Sequence, residues 1–344
     1  MRVWKIVLTA LLLACSPALA ASTLSADSWA RYRASFLDDT GRIVDTGNDG
    51  ISHSEGQGYG LLLAVMADDP ANFDRIWSFT RTQLLVRDDG LAAWRWTPGA
   101  QPPVTDLNDA SDGDILIALA LARGADRWQR PDLRQAATAL AEAIGSHLLF
   151  EHDGQVLLRP GVAGFDRSDR ADGPVVNLSY WVFEAFGELA ALAPDHDWIG
   201  VAKSGRQLLT QVLSDAPLPP EWLSVADRPR PAEGFPAEFG YNALRLPLYL
   251  MRAQEGDADL MRKLASAMTD EDGNLRIVDL ASGATTHTLS DSGYRIIPAA
   301  IACVLDGAPV PEDLRRFAPT LYYPSTLHLL TLGTLSETHP ECLR

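Results

Sequence analysis

The segment Ser54-Glu55-Gly56-Gln57-Gly58-Tyr59-Gly60 places one carboxylate in a glycine-rich stretch directly before the apolar run Leu61 to Ala67. Glycines let a backbone bend tightly and let a bulky ligand come close to it, and an apolar helix behind raises the pKa of a half-buried carboxylate by desolvation. A carboxyl group kept protonated near neutral pH is a proton donor. The same side chain near a helix N-terminus also satisfies the helix dipole, so in isolation the two readings stand side by side.

A second acidic constellation, Asp106-Leu107-Asn108-Asp109-Ala110-Ser111-Asp112-Gly113-Asp114, leads straight into Ile115 to Ala122. One helix cap needs one side chain, and this run offers four carboxylates and an Asn, which exceeds a capping role. Between the two acid sites stand Trp94 and Trp96. On an extended segment that spacing turns both indoles to one side, as a stacking platform for sugar rings would need, although filling the core is the commoner fate of an aromatic ring. Tyr180 and Trp181, Trp222, and Tyr322 with Tyr323 add aromatic side chains near helix starts or in loops. The histidines do not pair at ligand spacing and no HExxH occurs, so neither metal nor cofactor is expected. His53-Ser54 lacks a nucleophile elbow around it, and Gly56 to Gly60 lacks the strand and third glycine of a dinucleotide loop.

The elements that must position these groups are helical. Twelve apolar-periodic segments begin near Ala26, Gly58, Pro70, Gly113, Pro131, Tyr180, Trp198, Tyr241, Ala258, Tyr294, Pro311 and Ser325, most bounded by Asp, Pro or Gly at cap positions. Asp69-Pro70 supplies an N-cap followed by proline in the first turn. Gln155 to Leu158, and Leu275 to Thr288 around Ser282-Gly283, read as strands or hairpins inserted on this scaffold. No linker divides the chain, so residues 21–344 read as one domain, with Pro217 to Pro236 as a long functional loop. A closed double ring of six helix pairs fits the count. A helical solenoid fits it too, though no sequence repeat is present.

Residues 1–20 carry Arg2 and Lys5, an apolar stretch from Ile6 to Ala14, and Ala18-Leu19-Ala20, the pattern of a cleaved secretory signal peptide. Leu12-Leu13-Ala14-Cys15 offers a lipoprotein reading as the lesser option. Cleavage takes the net charge of −16 to −18, and with no clustered Lys or Arg, nucleic acid is excluded as a partner. Such an acidic surface suits a secreted enzyme acting on a neutral or cationic polymer. Only Cys303 and Cys342 survive cleavage; a disulfide tying the C-terminal tail to a late helix and two buried thiols are both open.

Ala110-Ser111-Asp112-Gly113-Asp114, with Ile117-Ala118, Ala120-Leu121 and Trp128, resembles the signature of glycoside hydrolase family 8, with Gly124 in place of its usual alanine. The segment around Glu55, Trp94-Arg95-Trp96, Leu157 to Gly161, Asn177 to Tyr180 and Tyr322-Tyr323 are similar to family stretches in the same order. Within the family the pattern is most similar to periplasmic endoglucanases encoded with bacterial cellulose synthases. The resemblance implies an (α/α)6 barrel and inverting hydrolysis of β-1,4 bonds, which needs a protonated carboxyl and a water-activating carboxylate about 6.5 to 9.5 Å apart. It implies Glu55 as proton donor and Asp112 beneath the sugar being cleaved, with Asp114 supporting the helix start or orienting Asp112. Trp94, Trp96, Tyr180, Tyr241, Asn242 and Arg245 are the implied sugar contacts. A β-1,4-glucan substrate and contact with a cellulose synthase complex follow from the same resemblance; a periplasmic or extracellular location follows from the cleaved leader, and a monomeric state is expected.

One position departs from it. The cellulose-synthesis relatives carry the general base as an aspartate where this chain has Asn242, and an amide cannot take a proton from water. Asp112, Glu233, Glu238, Asp109 and Asp291 are the substitutes open from sequence, with Asp112 in the strongest motif. Chitosan or xylan as the polymer, and a glucan-binding protein without catalysis, are the alternatives.

Overall fold

The computed structural model describes residues 22–254 and 258–344; the signal peptide expected at 1–20 lies outside the described residues. Among the described residues there are eleven α-helices: α1 (Ala26–Phe36), α2 (Ser54–Met66), α3 (Pro70–Gln83), α4 (Ser111–Trp128), α5 (Pro131–Leu148), α6 (Phe186–Leu192), α7 (Trp198–Asp215), α8 (Leu246–Arg252), α9 (Ala258–Met268), α10 (Ser292–Asp306) and α11 (Tyr322–Thr338). None is long and apolar enough to cross a membrane.

Helices α2, α4, α6, α8, α10 and α11 form an inner ring. Each packs on the next, with the 3-10 turn ahead of α6 bridging to α8, and α11 returns to α2, closing the circle. The sequence explains which helices go inside. On α2 and α11 buried residues occupy every face, and a helix without a polar face has to be enclosed. The threonines of α11 satisfy themselves there: Thr326, Thr331 and Thr334 each donate to the carbonyl four residues back. Helices α1, α3, α5, α7 and α9 lie outside, against α11, α2, α4, α6 and α8 respectively. The result is the (α/α)6 barrel that the sequence implies, with the solenoid reading set aside by ring closure.

The twelfth expected helix, near Pro311, is a single 3-10 turn at Glu312–Leu314. Pro319 bars its preceding residue from the α conformation, which leaves too short a run for a helix. The turn still covers α11, where His328 Nε2 meets the Leu314 carbonyl at 2.7 Å and Phe317 packs edge-on against the same imidazole. Helix α8 begins five residues after Tyr241, because Pro247 fixes its first turn and the preceding Ala243–Arg245 tightens into a 3-10 turn. Asp69 caps α3 ahead of Pro70 as expected, accepting from Asn72 N.

The β-structure is peripheral. Strands 149–152 and 155–158 form one hairpin, and 275–279 pairs with 285–289 and with Glu238–Phe239. Cys303 and Cys342 are joined as a disulfide, resolving the choice left open by sequence in favour of a tether between α10 and the C-terminal turn. Closing a loop of 39 residues in sequence separation stabilises the fold by about 4 kcal/mol on the chain-entropy estimate.

Candidate active site

The glycines around Glu55 serve a different purpose from a ligand-binding turn. Ser54 to Gly60 is already helical, the first two turns of α2. Glycine inside a helix costs about 1 kcal/mol relative to alanine, and here the missing side chains admit neighbouring elements. A Cβ on Gly58 would lie 2.6 Å from Leu116 Cβ, and one on Gly113 would lie 2.1 Å from Ser54 Oγ and 2.7 Å from Glu55 N. The glycines therefore let α2 and α4 touch at their N-termini. His53 caps α2 through Nδ1, which accepts from Gly56 N at 3.0 Å, while Nε2 faces Asp45 at 3.3 Å. Strand pairing of Ser52–His53 with Arg95–Trp96 anchors this entry.

Three acids of the second constellation hold local structure. Asp106 accepts from Trp94 Nε1 and Asn108 N, Asp109 from Val162 N, and Asp114 from Ala92 N, each within 2.9 Å. Asp112 is the one that turns to α2. Its Oδ1 takes the Gly113 N–H at 2.8 Å, and its carboxyl group hydrogen-bonds Glu55.

Arg245, fully buried at the 3-10 turn before α8, forks between the two carboxylates. Its Nη1 lies 2.5 Å from Glu55 Oε2 and its Nη2 lies 2.5 Å from Asp112 Oδ2, bridging 190 and 133 residues of sequence. Burial drives the Asp112 carboxyl up to about 7 against the pull of Arg245, with the adjacent Glu55 charge adding to the rise. Glu55 goes the other way. Burial pushes it up too, but Arg245 and His53 outweigh that and hold it below the ordinary glutamate value. Desolvation alone suggests a raised Glu55; the cation that reverses it comes from 190 residues further along the chain. The pair thus keeps one proton up to about pH 7, resting on Asp112 and hydrogen-bonded to Glu55. Of the two, only Glu55 has a solvent-facing edge, with 17% of its side chain exposed against 2% for Asp112.

Two cavity lobes of about 390 and 280 Å³ open on either side of Glu55 and share His53, Asn48 and Asn242. Tyr241, Tyr294 and Tyr323 line one, and Trp94, Asp112 and Tyr180 the other. Apart from Trp94 and Asn48, these residues come from the N-terminal ends of all six inner helices or the turns before them. The expected pairing of Trp94 and Trp96 does not form. Trp94 lies before the two-residue strand at 95–96, with its indole held by Asp106, whereas Trp96 packs edge-on against Phe79 under the Arg42 guanidinium, away from the lobes. Tyr241 is 49% exposed at the rim, its carbonyl accepting from Tyr323 Oη at 2.8 Å.

The candidate substitutes for the base are scattered. Asp291 caps α10, Asp109 is buried against loop 162, and Glu233 is 72% exposed on the long loop. Asp112 sits beside Glu55 on the same Arg245 fork rather than across a gap from it. Sequence reasoning missed Glu221, whose carboxylate accepts from Asn242 N at 2.6 Å and from Asn242 Nδ2 at 3.3 Å. Its signal was its place beside Trp222 in the proline-rich loop. Trp222 itself is stacked between Phe165 and Phe235 and meets Tyr180 edge-on, extending the aromatic wall. Among the described residues no group of three or more His, Cys, Asp or Glu side chains is arranged to hold a metal ion.

Residues 1–336 match the model of glycosyl hydrolases family 8. The chain belongs to this family and is a glycoside hydrolase. A "probable endoglucanase" of Novacetimonas hansenii is 38% identical over 318 residues, 91% of each chain. The structure of endo-beta-1,4-glucanase CMCax from Acetobacter xylinum superposes with a TM-score of 0.78 at 36% identity, covering 92% of this chain and 98% of that one. Endoglucanase Cel10 from Klebsiella pneumoniae gives 0.80 at 29% identity, covering 90% and 99%. Family 8 membership agrees with the barrel and with the resemblance read from the motifs.

Proposed function

We propose that this protein is an endo-β-1,4-glucanase that cleaves internal bonds of a glucan chain with inversion, residues 21–344 acting as one catalytic domain. The observation that carries this reading is the carboxyl pair on Arg245 at the middle of a cleft open on both sides. A polymer can lie through both lobes, with a bond to be cut over Glu55. The named endoglucanases at 36 and 38% identity over nine-tenths of the chain support the same polymer.

Glu55 is the proton donor to the leaving oxygen. Its proton comes across the hydrogen bond from Asp112, whose raised affinity keeps the pair singly protonated up to about pH 7. Arg245 holds both carboxyls in place and stabilises the negative charge left on Glu55 once the proton departs. Trp94, Tyr180 and Tyr241 offer rings to the sugars on either side. The leader at residues 1–20 supports action outside the cytoplasm, and the pattern shared with glucanases of cellulose-synthesis operons supports trimming of nascent cellulose beside the synthase.

The test is release of reducing ends from carboxymethylcellulose by the wild type and by Glu55→Gln, with chitosan and xylan in parallel. Activity on the cellulose derivative, abolished in the variant, is expected. Undiminished activity in Glu55→Gln would overturn the donor assignment, and binding of cello-oligosaccharides without turnover by the wild type would replace an enzyme with a glucan-binding protein.

A further inference from the structure

An inverting hydrolase needs a carboxylate to take the proton of the attacking water, and position 242 supplies only an amide. We infer that Glu221 performs this task, with Asn242 orienting the water; this rests on the inverting reaction proposed above. Three observations point to it. Glu221 meets Asn242 twice, at the backbone N–H and at Nδ2. A carboxylate only accepts, so the Nδ2 of Asn242 faces Glu221 and its Oδ1 is left for another partner, while the residue lines both cleft lobes. Gly240 keeps the place open, since a Cβ there would lie 2.5 Å from Glu221 Oε1. The Glu221 carboxylate therefore stands beside the position an aspartate at 242 would occupy, one side chain further out.

The competing carboxylates are worse placed. Asp112 is bonded to Glu55 itself, whereas inversion separates acid and base by about 6.5 to 9.5 Å to admit a water. Glu238 is the neighbour that tunes Glu221: burial raises the Glu221 pKa, Asn242 and Arg245 draw it down, and the Glu238 charge pushes it up. Tyr180 stands within the field of the same carboxylate.

In the step itself, water held on Asn242 Oδ1 attacks the anomeric carbon from the face opposite the leaving group. The new C–O bond forms as the glycosidic C–O bond breaks, the Glu55 proton goes to the departing oxygen, and one water proton goes to Glu221. The released end carries the α configuration.

The experiment compares the full-length enzyme with Glu221→Gln and Glu221→Ala on cellopentaose. The expected loss in kcat is on the order of 10² to 10⁴-fold, with KM little changed and the melting temperature close to wild type. Sodium azide, an anionic nucleophile that needs no base, restores turnover to Glu221→Ala and yields an α-glycosyl azide, while it does not rescue Glu55→Gln. In Glu238→Gln the acid limb of kcat/KM moves to lower pH, because a charge that raised Glu221 is gone. Wild-type kcat in Glu221→Gln would overturn the inference alone and leave the glucanase standing. So would a loss of activity that azide does not rescue, or, should the Glu221 variants fail to fold, an acid limb that stays fixed in Glu238→Gln. A wild type without turnover would instead bring down the parent reading.

Discussion

The barrel has two mouths, and each holds an arginine–carboxylate cluster, with a different balance of charge. At the mouth formed by the helix N-termini, one arginine, Arg245, serves two carboxyls, Glu55 and Asp112. At the other, two arginines, Arg123 and Arg252, converge on Glu184, with Glu188 also meeting Arg123. Helix N-termini favour negative charge, and it is at the heads of α2 and α4 that the acids outnumber the arginine. The consequences differ. Where arginines and acids are equal in number, Glu184, held between two arginines, overcomes its burial and sits at a pKa of about 2. Where acids are in excess, one of them must keep a proton, and Asp112 rises to about 7. A balanced cluster fixes structure; an under-neutralised one stores a transferable proton.

Substitutions at the two mouths should separate these roles. The largest effect expected is Glu55→Gln, with kcat lower by on the order of 10² to 10⁴-fold and the thermal transition retained, read by reducing-end release and calorimetry. Glu184→Gln should do the reverse. Leaving the buried Arg252 guanidinium without its carboxylate costs about 3 to 5 kcal/mol, seen as a drop in melting temperature on the order of 10 °C, with near-normal kcat for the folded fraction. Gly58→Ala comes next: the clash with Leu116 forces α2 and α4 apart, costing about 1 to 3 kcal/mol and lowering activity because Glu55 moves with α2. The mildest test is pH. The proton of the Asp112 pair is present below about 7 and lost above it, so kcat should fall as pH rises through that value. Glu184 has a depressed pKa, so its stabilisation is present above the ordinary glutamate value and lost only as pH falls toward about 2. Chemical denaturation at pH 3.5 should therefore still find the C-terminal mouth contributing.

Local signals in the sequence located half of this site. Glu55 and Asp112 stood out because each sits at the head of an apolar helix with more polar groups than capping requires, and Asp69-Pro70 and the hairpin near Ser282-Gly283 were readable for similar local reasons. What stayed hidden depends on chain segments far apart. The pKa of Glu55 is reversed by an arginine 190 residues away, and the disulfide and Glu221 both rest on contacts that no periodicity encodes. Trp96 misled because a spacing of two implies a shared face only inside a strand, and Trp94 lies just outside it. The collapsed outer helix at Pro311 shows the opposite failure, an apolar segment too short between prolines to sustain its pattern.

Contact between Asp112 and Glu55 raises the sharpest question, because a carboxylate so close to the cut bond has the position of a nucleophile as readily as that of a proton store. Proton NMR of cellopentaose hydrolysis, followed from the first minutes, decides between them by the configuration of the new reducing end. Water attack with Asp112 as proton store gives the α anomer first, drifting later to the equilibrium mixture. An initial β anomer would contradict it and make Asp112 a covalent participant.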